Sequence, residues 1–253
     1  MLRFSDIVFG PIHSRRLGSS LGINLLPPDG KLCNFDCIYC ECGWNRDGRT
    51  LKPVLPGSDD VHQALEAKLK DLSASGVRVD SITFSGNGEP TLNPEFAEIV
   101  EKVLNLRNIY IPLAKVSVFT NATTISDASI REALKKVDNP ILKIDACSDK
   151  GVFAVNRPSG AYSLDEVVRN MKYFEGNFVL QTMFLRYGET DLTHRECLEK
   201  WMELVRQVRP REIMAYTIDR ETPDKNLSKC TISEIEEYTE PLRKEGFNIQ
   251  IRG

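Results

Sequence analysis

From residue 59 onward, short apolar runs alternate with longer amphipathic stretches. Strands are expected at residues 81–84, 116–119, 141–144, 178–184 and 212–216. Helices are expected at 59–73, 94–104, 127–136, 164–174, 195–208 and 234–245. The apolar positions Val61, Leu65, Leu69 and Leu72 repeat at helical spacing. Ser58, Ser126 or Asp127, Ser163 and Ser233 are the expected caps. A strand at 21–26, stopped by Pro27-Pro28, precedes this series, and a short strand at 247–251 ends it. Strands alternating with helices of this length predict an α/β fold with a parallel sheet and right-handed crossovers. Six βα units are counted, where eight would close a barrel. Residues 1–20 read as a lead-in loop. Residues 43–58, polar and rich in Gly and Pro, read as a second loop. With no repeat or linker, residues 1–253 read as one domain.

Directly after the first strand come Cys33, Cys37 and Cys40, spaced three and then two residues apart. Thiolates this close can wrap one metal centre, and their softness suits zinc or an iron–sulfur cluster. Three ligands would leave one iron of a cubane open, whereas structural zinc takes four. Cys42 could supply a fourth, although its one-residue separation from Cys40 is a poor bite for tetrahedral zinc. Both readings stand on the cysteines alone.

Ligands of such sheets sit at the carboxyl ends of the strands. There the second strand runs into Gly86-Asn87-Gly88-Glu89. Glycines let backbone approach a ligand closely, and Glu89 can pair with an ammonium group or cap the following helix. The third strand ends in Thr120-Asn121, which can also cap. Lys143 and Asp145, two apart, share one face of the fourth strand as ligand contacts or an internal ion pair. Gln181 would be an unusual core residue without a partner or a ligand. Tyr216 and Thr217 end the sixth strand. Arg157 could hold an anion or clamp its loop. His13, His62 and His194 form no constellation, and Arg15, Arg16, Arg46, Arg49 and Lys52 could make a local basic patch.

The Cx3Cx2C spacing, with aromatic Tyr39 before the last cysteine, resembles the radical S-adenosylmethionine (SAM) superfamily. The likeness runs in order through FGPIHSRRLGSSLGINLLP, CNFDCIYCECG, SITFSGNGEPTLNPEF, VFTNATT, NRPSGAYSLDEVV and YTIDRETP, and so covers nearly the whole chain. It narrows to a group of short Fe–S oxidoreductases related to the tRNA 4-demethylwyosine synthases. The resemblance implies an open, partial (βα)6 TIM-like barrel. It implies a [4Fe-4S] cluster on Cys33, Cys37 and Cys40 whose open iron chelates SAM. It also implies reductive cleavage of SAM to a 5′-deoxyadenosyl radical that abstracts hydrogen. Gly86, Asn87, Gly88 and Glu89 match a GGE-type motif that receives the SAM amino group. Asn121 matches a TNG-like turn, and Tyr39 is expected near adenine; on the residues themselves Tyr216 is a candidate adenine neighbour or a core residue, and Lys143 with Asp145 could orient the SAM ribose or a substrate. A flavodoxin or ferredoxin is the expected electron donor. The wyosine synthases carry further cysteines before this motif, and here none precedes Cys33. The other four, Cys42, Cys147, Cys197 and Cys230, are scattered singly.

A glycyl-radical-enzyme activase, or a non-catalytic Fe–S or zinc module, are the alternatives. The SRRLG and GNGEP stretches do not look like the activases. Production of 5′-deoxyadenosine separates an enzyme from a binding module. The N-terminus has no signal-peptide pattern and no apolar run spans a bilayer, so a cytoplasmic protein without membrane association is expected. Seven cysteines without export then suggest metal rather than disulfides. A net charge of −3 gives no general pull toward DNA. The substrate is left open between a small molecule, a peptide and RNA.

Overall fold

The computed structural model describes residues 3–14, 16–47 and 53–252. Arg15, Arg49 and Lys52 of the expected basic patch lie outside them. Among the described residues ten strands are formed: β1 (Val8–Ser14), β2 (Gly18–Ile23), β3 (Ser81–Phe84), β4 (Lys115–Thr120), β5 (Asn139–Lys143), β6 (Val179–Met183), β7 (Leu185–Arg186), β8 (Glu212–Tyr216), β9 (Ser228–Lys229) and β10 (Ile249–Arg252). The helices are α1 (Ser58–Ser75), α2 (Phe96–Tyr110), α3 (Ala128–Lys136), α4 (Asp149–Val155), α5 (Leu164–Met171), α6 (Arg195–Val208) and α7 (Ile232–Lys244).

Eight strands make one sheet in the order β1-β2-β3-β4-β5-β6-β8-β10, curled into a half-barrel. From β2 onward every pairing is parallel. The six expected βα units are β2–α1, β3–α2, β4–α3, β5 with α4 and α5, β6–α6 and β8–α7. β7 and β9 form a separate two-stranded ribbon.

The alternation of side chains along each strand divides the sheet into two faces. Leu21, Ile82, Phe84, Val116 and Val118 pack on the helices with Val61, Leu65 and Leu69, all fully buried. At roughly 1.5–3 kcal/mol per buried side chain of this size, this layer dominates the fold's stability. The other face is the barrel interior and is largely polar. There Ser20 bonds Thr83 at 2.7 Å, Ser81 bonds Ser117 at 3.1 Å, and Asn139 donates to Ser117 at 3.0 Å. Lys143 and Gln181 lie side by side in register on neighbouring strands.

Several expected boundaries move. The lead-in is not a loop: β1 pairs antiparallel with β2 across a register shift between Phe9 and Ile12. That irregularity falls on Gly10-Pro11, which in sequence hides the strand. The first parallel strand starts at Gly18 rather than residue 21. α1 is capped by Gly57, not Ser58, and α7 by Thr231, whose hydroxyl and Glu234 form a capping box, not by Ser233. Asp127 and Ser163 cap as expected. α2 runs to Tyr110, six residues past its expected end. α4, too short for a clear period, was not anticipated; Ser148 caps it.

Candidate functional site: a cysteine loop clamped over the mouth of the half-barrel

The loop after β2 carries the three cysteines and is tied down on both sides. On one side Leu32 forms a parallel bridge to Gly88. Leu32 N–H donates to Asn87 O at 2.8 Å, and Glu89 N–H donates to Leu32 O at 3.1 Å. This pairing requires glycine at 88. Its φ is +137°, and a β-carbon there would sit 2.0 Å from the Leu32 carbonyl oxygen. On the other side Phe35 bridges Pro158. Asp36 N–H donates to Asn156 O at 2.8 Å, Ile38 N–H to Val155 O at 3.0 Å, and Ser159 N–H to Asn34 O at 2.9 Å.

Between these clamps Cys33, Cys37 and Cys40 line a cavity of about 210 Å³, together with Gly86, Gly88 and Glu89. Among the described residues no three His, Cys, Asp or Glu side chains are grouped to hold a single metal ion. The three cysteines instead share the lining of that cavity. Burial pushes the Cys33 and Cys37 thiols up, while a hydrogen bond from the Cys42 thiol pulls Cys40 down. Cys42 itself lies 3.3 Å from Gly86 O. Two lysines stand beside this set. Lys31, with 1% of its side chain exposed, donates to Asp36 at 3.1 Å and to Gly43 O at 3.1 Å. Burial opposes its charge, but the cysteine sulfurs and Asp36 outweigh that and hold it cationic. Lys143 is held cationic in the same way: burial opposes its charge, and neighbouring anionic groups including Asp145 outweigh it. Three soft donors around a cavity, flanked by one buried and one half-buried cation, fit a thiolate-bound cluster with net negative charge.

Glu89 is 3% exposed. Its Oε1 accepts from Thr91 N at 3.2 Å and Thr91 Oγ1 at 2.7 Å, and its Oε2 from Asn121 N at 2.7 Å. It therefore caps the short 3-10 turn Pro90–Leu92. Burial pushes its pKa up against these bonds. No cation pairs with it among the described residues, so a carboxylate lines the cavity without a counter-charge. Asn87, two residues before it in sequence, turns away. Its amide donates to Phe4 O and Pro27 O, both at 2.8 Å, and accepts from Phe4 N at 3.0 Å, so its side chain braces the lead-in. Asn121 reaches the cysteine loop, donating to Asn34 Oδ1 at 2.6 Å and approaching Cys33 Sγ at 3.7 Å.

Tyr39, Asp145 and Lys143 form one buried network. The Tyr39 hydroxyl donates to Asp145 Oδ2, and Lys143 Nζ donates to the Tyr39 oxygen at 2.8 Å. Lys143 and Asp145 are 3.7 Å apart, and Met183 N–H donates to Asp145 Oδ1 at 2.9 Å. Asp145 thus sits behind Tyr39 as part of an internal ion pair rather than on the cavity wall.

A second cavity, of about 270 Å³, opens on the far side of Tyr39 and Cys40 and reaches Arg16, Met183 and Tyr216. The Arg16 guanidinium lies 4.9 Å from the Tyr216 ring centre and 5.8 Å from that of Phe119, inside the barrel rather than on a basic surface. Gln181 lines both cavities. It is 7% exposed, and its carboxamide has no hydrogen-bond partner among the described residues. Thr217 lines the second cavity, where its hydroxyl takes the Cys230 N–H at 2.9 Å. Arg157 is a clamp: it stacks on Trp44 at 4.9 Å and pairs with Asp224 at 3.7 Å. Arg46 lies 5.9 Å from the same Trp44 ring. Sequence reasoning missed Lys31 and passed over Asn156 as part of a loop. The only signal for the first was a lysine two residues before Cys33.

The family model described as the radical SAM superfamily matches residues 28–205. A UPF0026 protein of Methanocaldococcus jannaschii is 30% identical over 233 residues, which is 90% of this chain and 68% of the relative. Two solved structures share the fold at low identity. SuiB of Streptococcus suis, bound to S-adenosylmethionine, gives a TM-score of 0.63 at 18% identity, over 89% of this chain and 49% of SuiB. TYW1 with a lysine–pyruvate adduct gives 0.64 at 16% identity, over 90% of this chain and 75% of TYW1. The chain therefore spans about half the length of SuiB. No helix among the described residues is long and apolar enough to cross a membrane.

Proposed function

The chain belongs to the radical SAM superfamily, and we propose that it is an enzyme that holds one [4Fe-4S] cluster and cleaves SAM reductively. The observation that carries this reading is the shared cavity: three cysteine sulfurs and an uncompensated buried carboxylate, Glu89, face the same space. When bound, the cluster supplies the electron that splits SAM into methionine and a 5′-deoxyadenosyl radical able to take hydrogen from a substrate.

Cys33, Cys37 and Cys40 hold the cluster, and Lys31 and Lys143 balance its charge. Glu89, kept rigid by Thr91 and Asn121, receives the SAM ammonium. The backbone at Gly86 and Gly88 gives the methionyl end close approach, and Asn87 braces that turn from behind. Asn121 fixes Asn34 and so the start of the cysteine loop. Tyr39 and Tyr216 flank the adenosyl group, with Tyr39 locked by Asp145. The second cavity, with Arg16 and Gln181, takes the substrate beside it. The clamped loop keeps water from the reacting atoms. A low-potential carrier, a flavodoxin or ferredoxin, delivers the electron.

The test is anaerobic reconstitution with iron and sulfide, reduction with dithionite, and assay of 5′-deoxyadenosine and methionine in equal amounts. A protein that holds the cluster, binds SAM and yields neither product would be a binding module instead.

A further inference from the structure

Asn156 ends α4 and is 1% exposed. Its side-chain nitrogen lies 2.8 Å from Asp145 Oδ2, 3.3 Å from Cys37 Sγ and 3.4 Å from the Tyr39 oxygen. An ionised carboxylate only accepts hydrogen bonds, so Asp145 fixes which end of the carboxamide faces inward. Asp145 is itself held by the Met183 N–H at 2.9 Å and by the Tyr39 hydroxyl. With one amide hydrogen on Asp145, the other is directed at the Cys37 sulfur. Cys33 receives a backbone donor, Phe35 N–H at 3.3 Å, and a longer side-chain approach from Asn121 at 3.7 Å.

We propose that Asn156 is a positioning residue that donates a hydrogen bond to the Cys37 thiolate and thereby raises the reduction potential of the cluster held there. The proposal rests on the reading of Cys37 as a cluster ligand. A donor to a ligand sulfur stabilises the form carrying one more negative charge, and such bonds are among the determinants of cluster potential. Sequence gave no sign of it, because Asn156 lies 119 residues from Cys37.

The experiment is a redox titration of the reconstituted protein, followed by the EPR signal of the reduced cluster. One electron passes from dithionite to the cluster, and no bond forms or breaks. At a fixed applied potential, Asn156→Ala should lower the reduced-to-oxidised ratio by up to about tenfold, a shift of 59 mV for one electron. The isosteric Asn156→Asp, which replaces the donor by an acceptor, should lower it further. Iron content and SAM affinity should stay near wild type. An unchanged ratio in an Asn156→Ala protein with full iron content would reduce Asn156 to a tie for its loop. Should both variants fail to hold iron, the reduced Asn121→Ala protein decides. Pulsed EPR after selective labelling of asparagine side-chain nitrogen must then show a weakly coupled amide, and its absence overturns the proposal. A wild-type protein that takes up no iron would overturn the earlier reading of the cysteines instead.

Discussion

The carbonyl oxygen of Leu32 occupies the space in which a β-carbon on Gly88 would stand, 2.0 Å from its ideal position. The first residue before the cysteines and the last glycine of the second motif are therefore fitted to each other, backbone against backbone. Gly88→Ala combines this clash with a φ of +137° that L residues rarely adopt. It should displace the cysteine loop and cost both stability and iron content. Thermal unfolding and iron analysis of the variant read both losses, and wild-type values in both would show that the bridge yields easily.

The three-ligand reading separates Cys42 from its neighbours. Replacing Cys33, Cys37 or Cys40 by Ala should abolish the cluster, while Cys42→Ala should retain about four irons per chain. Iron and sulfide analysis after anaerobic reconstitution checks it. Loss of iron in the Cys42 variant would mean a fourth thiolate takes part.

Glu89→Gln keeps the shape of the side chain and removes its charge. A charge-assisted contact is worth roughly 1.5–3 kcal/mol, so SAM should bind about ten- to a hundredfold more weakly while iron content holds. Unchanged affinity by equilibrium dialysis would leave Glu89 with only its capping role at Thr91.

Gln181 has no protein partner for its carboxamide among the described residues, but its polar atoms open on the two cavities it lines and are not sealed from solvent. Gln181→Leu should therefore leave the thermal midpoint of the ligand-free protein within about 2–4 °C of wild type, the shift that roughly 1 kcal/mol produces at this chain length. The same change should slow formation of 5′-deoxyadenosine. A fall in both midpoint and activity would indicate a structural role for the amide.

At the opposite end of the barrel, Asp138 accepts from Val116 N at 2.9 Å and Arg107 at 2.7 Å. Burial opposes its charge, but the Val116 N–H and Arg107 outweigh it and hold the carboxyl below its ordinary value. A depressed carboxylate pKa contributes stability above the unfolded value, and that contribution is lost as pH falls through the folded value. Asp138→Asn should thus cost about 1.5–3 kcal/mol at pH 7. The difference from wild type should shrink as pH falls below about 3.9, the unfolded value. Urea denaturation at pH 7 and in acid gives both numbers.

The sequence carried the parallel sheet because every outward-facing strand residue, such as Ile82 or Val118, must find a helix, and the helical period announces it. It carried the cysteines because their spacing is local. It could not carry β1, since Gly10-Pro11 interrupts the pattern while the pairing partner of the strand lies across a turn. Lys31 and Asn156 were hidden for a different reason. Their roles come from neighbours brought together only by the fold: Asn156 meets Asp145 after β5 and Cys37 after β2. Asp145 was visible as half of a pair with Lys143, but only the fold shows that Lys143 reaches the cavity while Asp145 is buried against the Tyr39 hydroxyl. Gln181 was legible as an anomaly, and its lack of a partner is what the structure adds.

The cysteine loop also sets an order of events during synthesis. Asp36, Ile38 and Asn34 are held by the backbone of Asn156, Val155 and Ser159. These partners leave the ribosome about 120 residues later, roughly 6–24 seconds at ordinary elongation rates. Throughout that interval the loop can have at most its first clamp, at Asn87 and Glu89. Its final shape must therefore wait until residues 155–159 have been made.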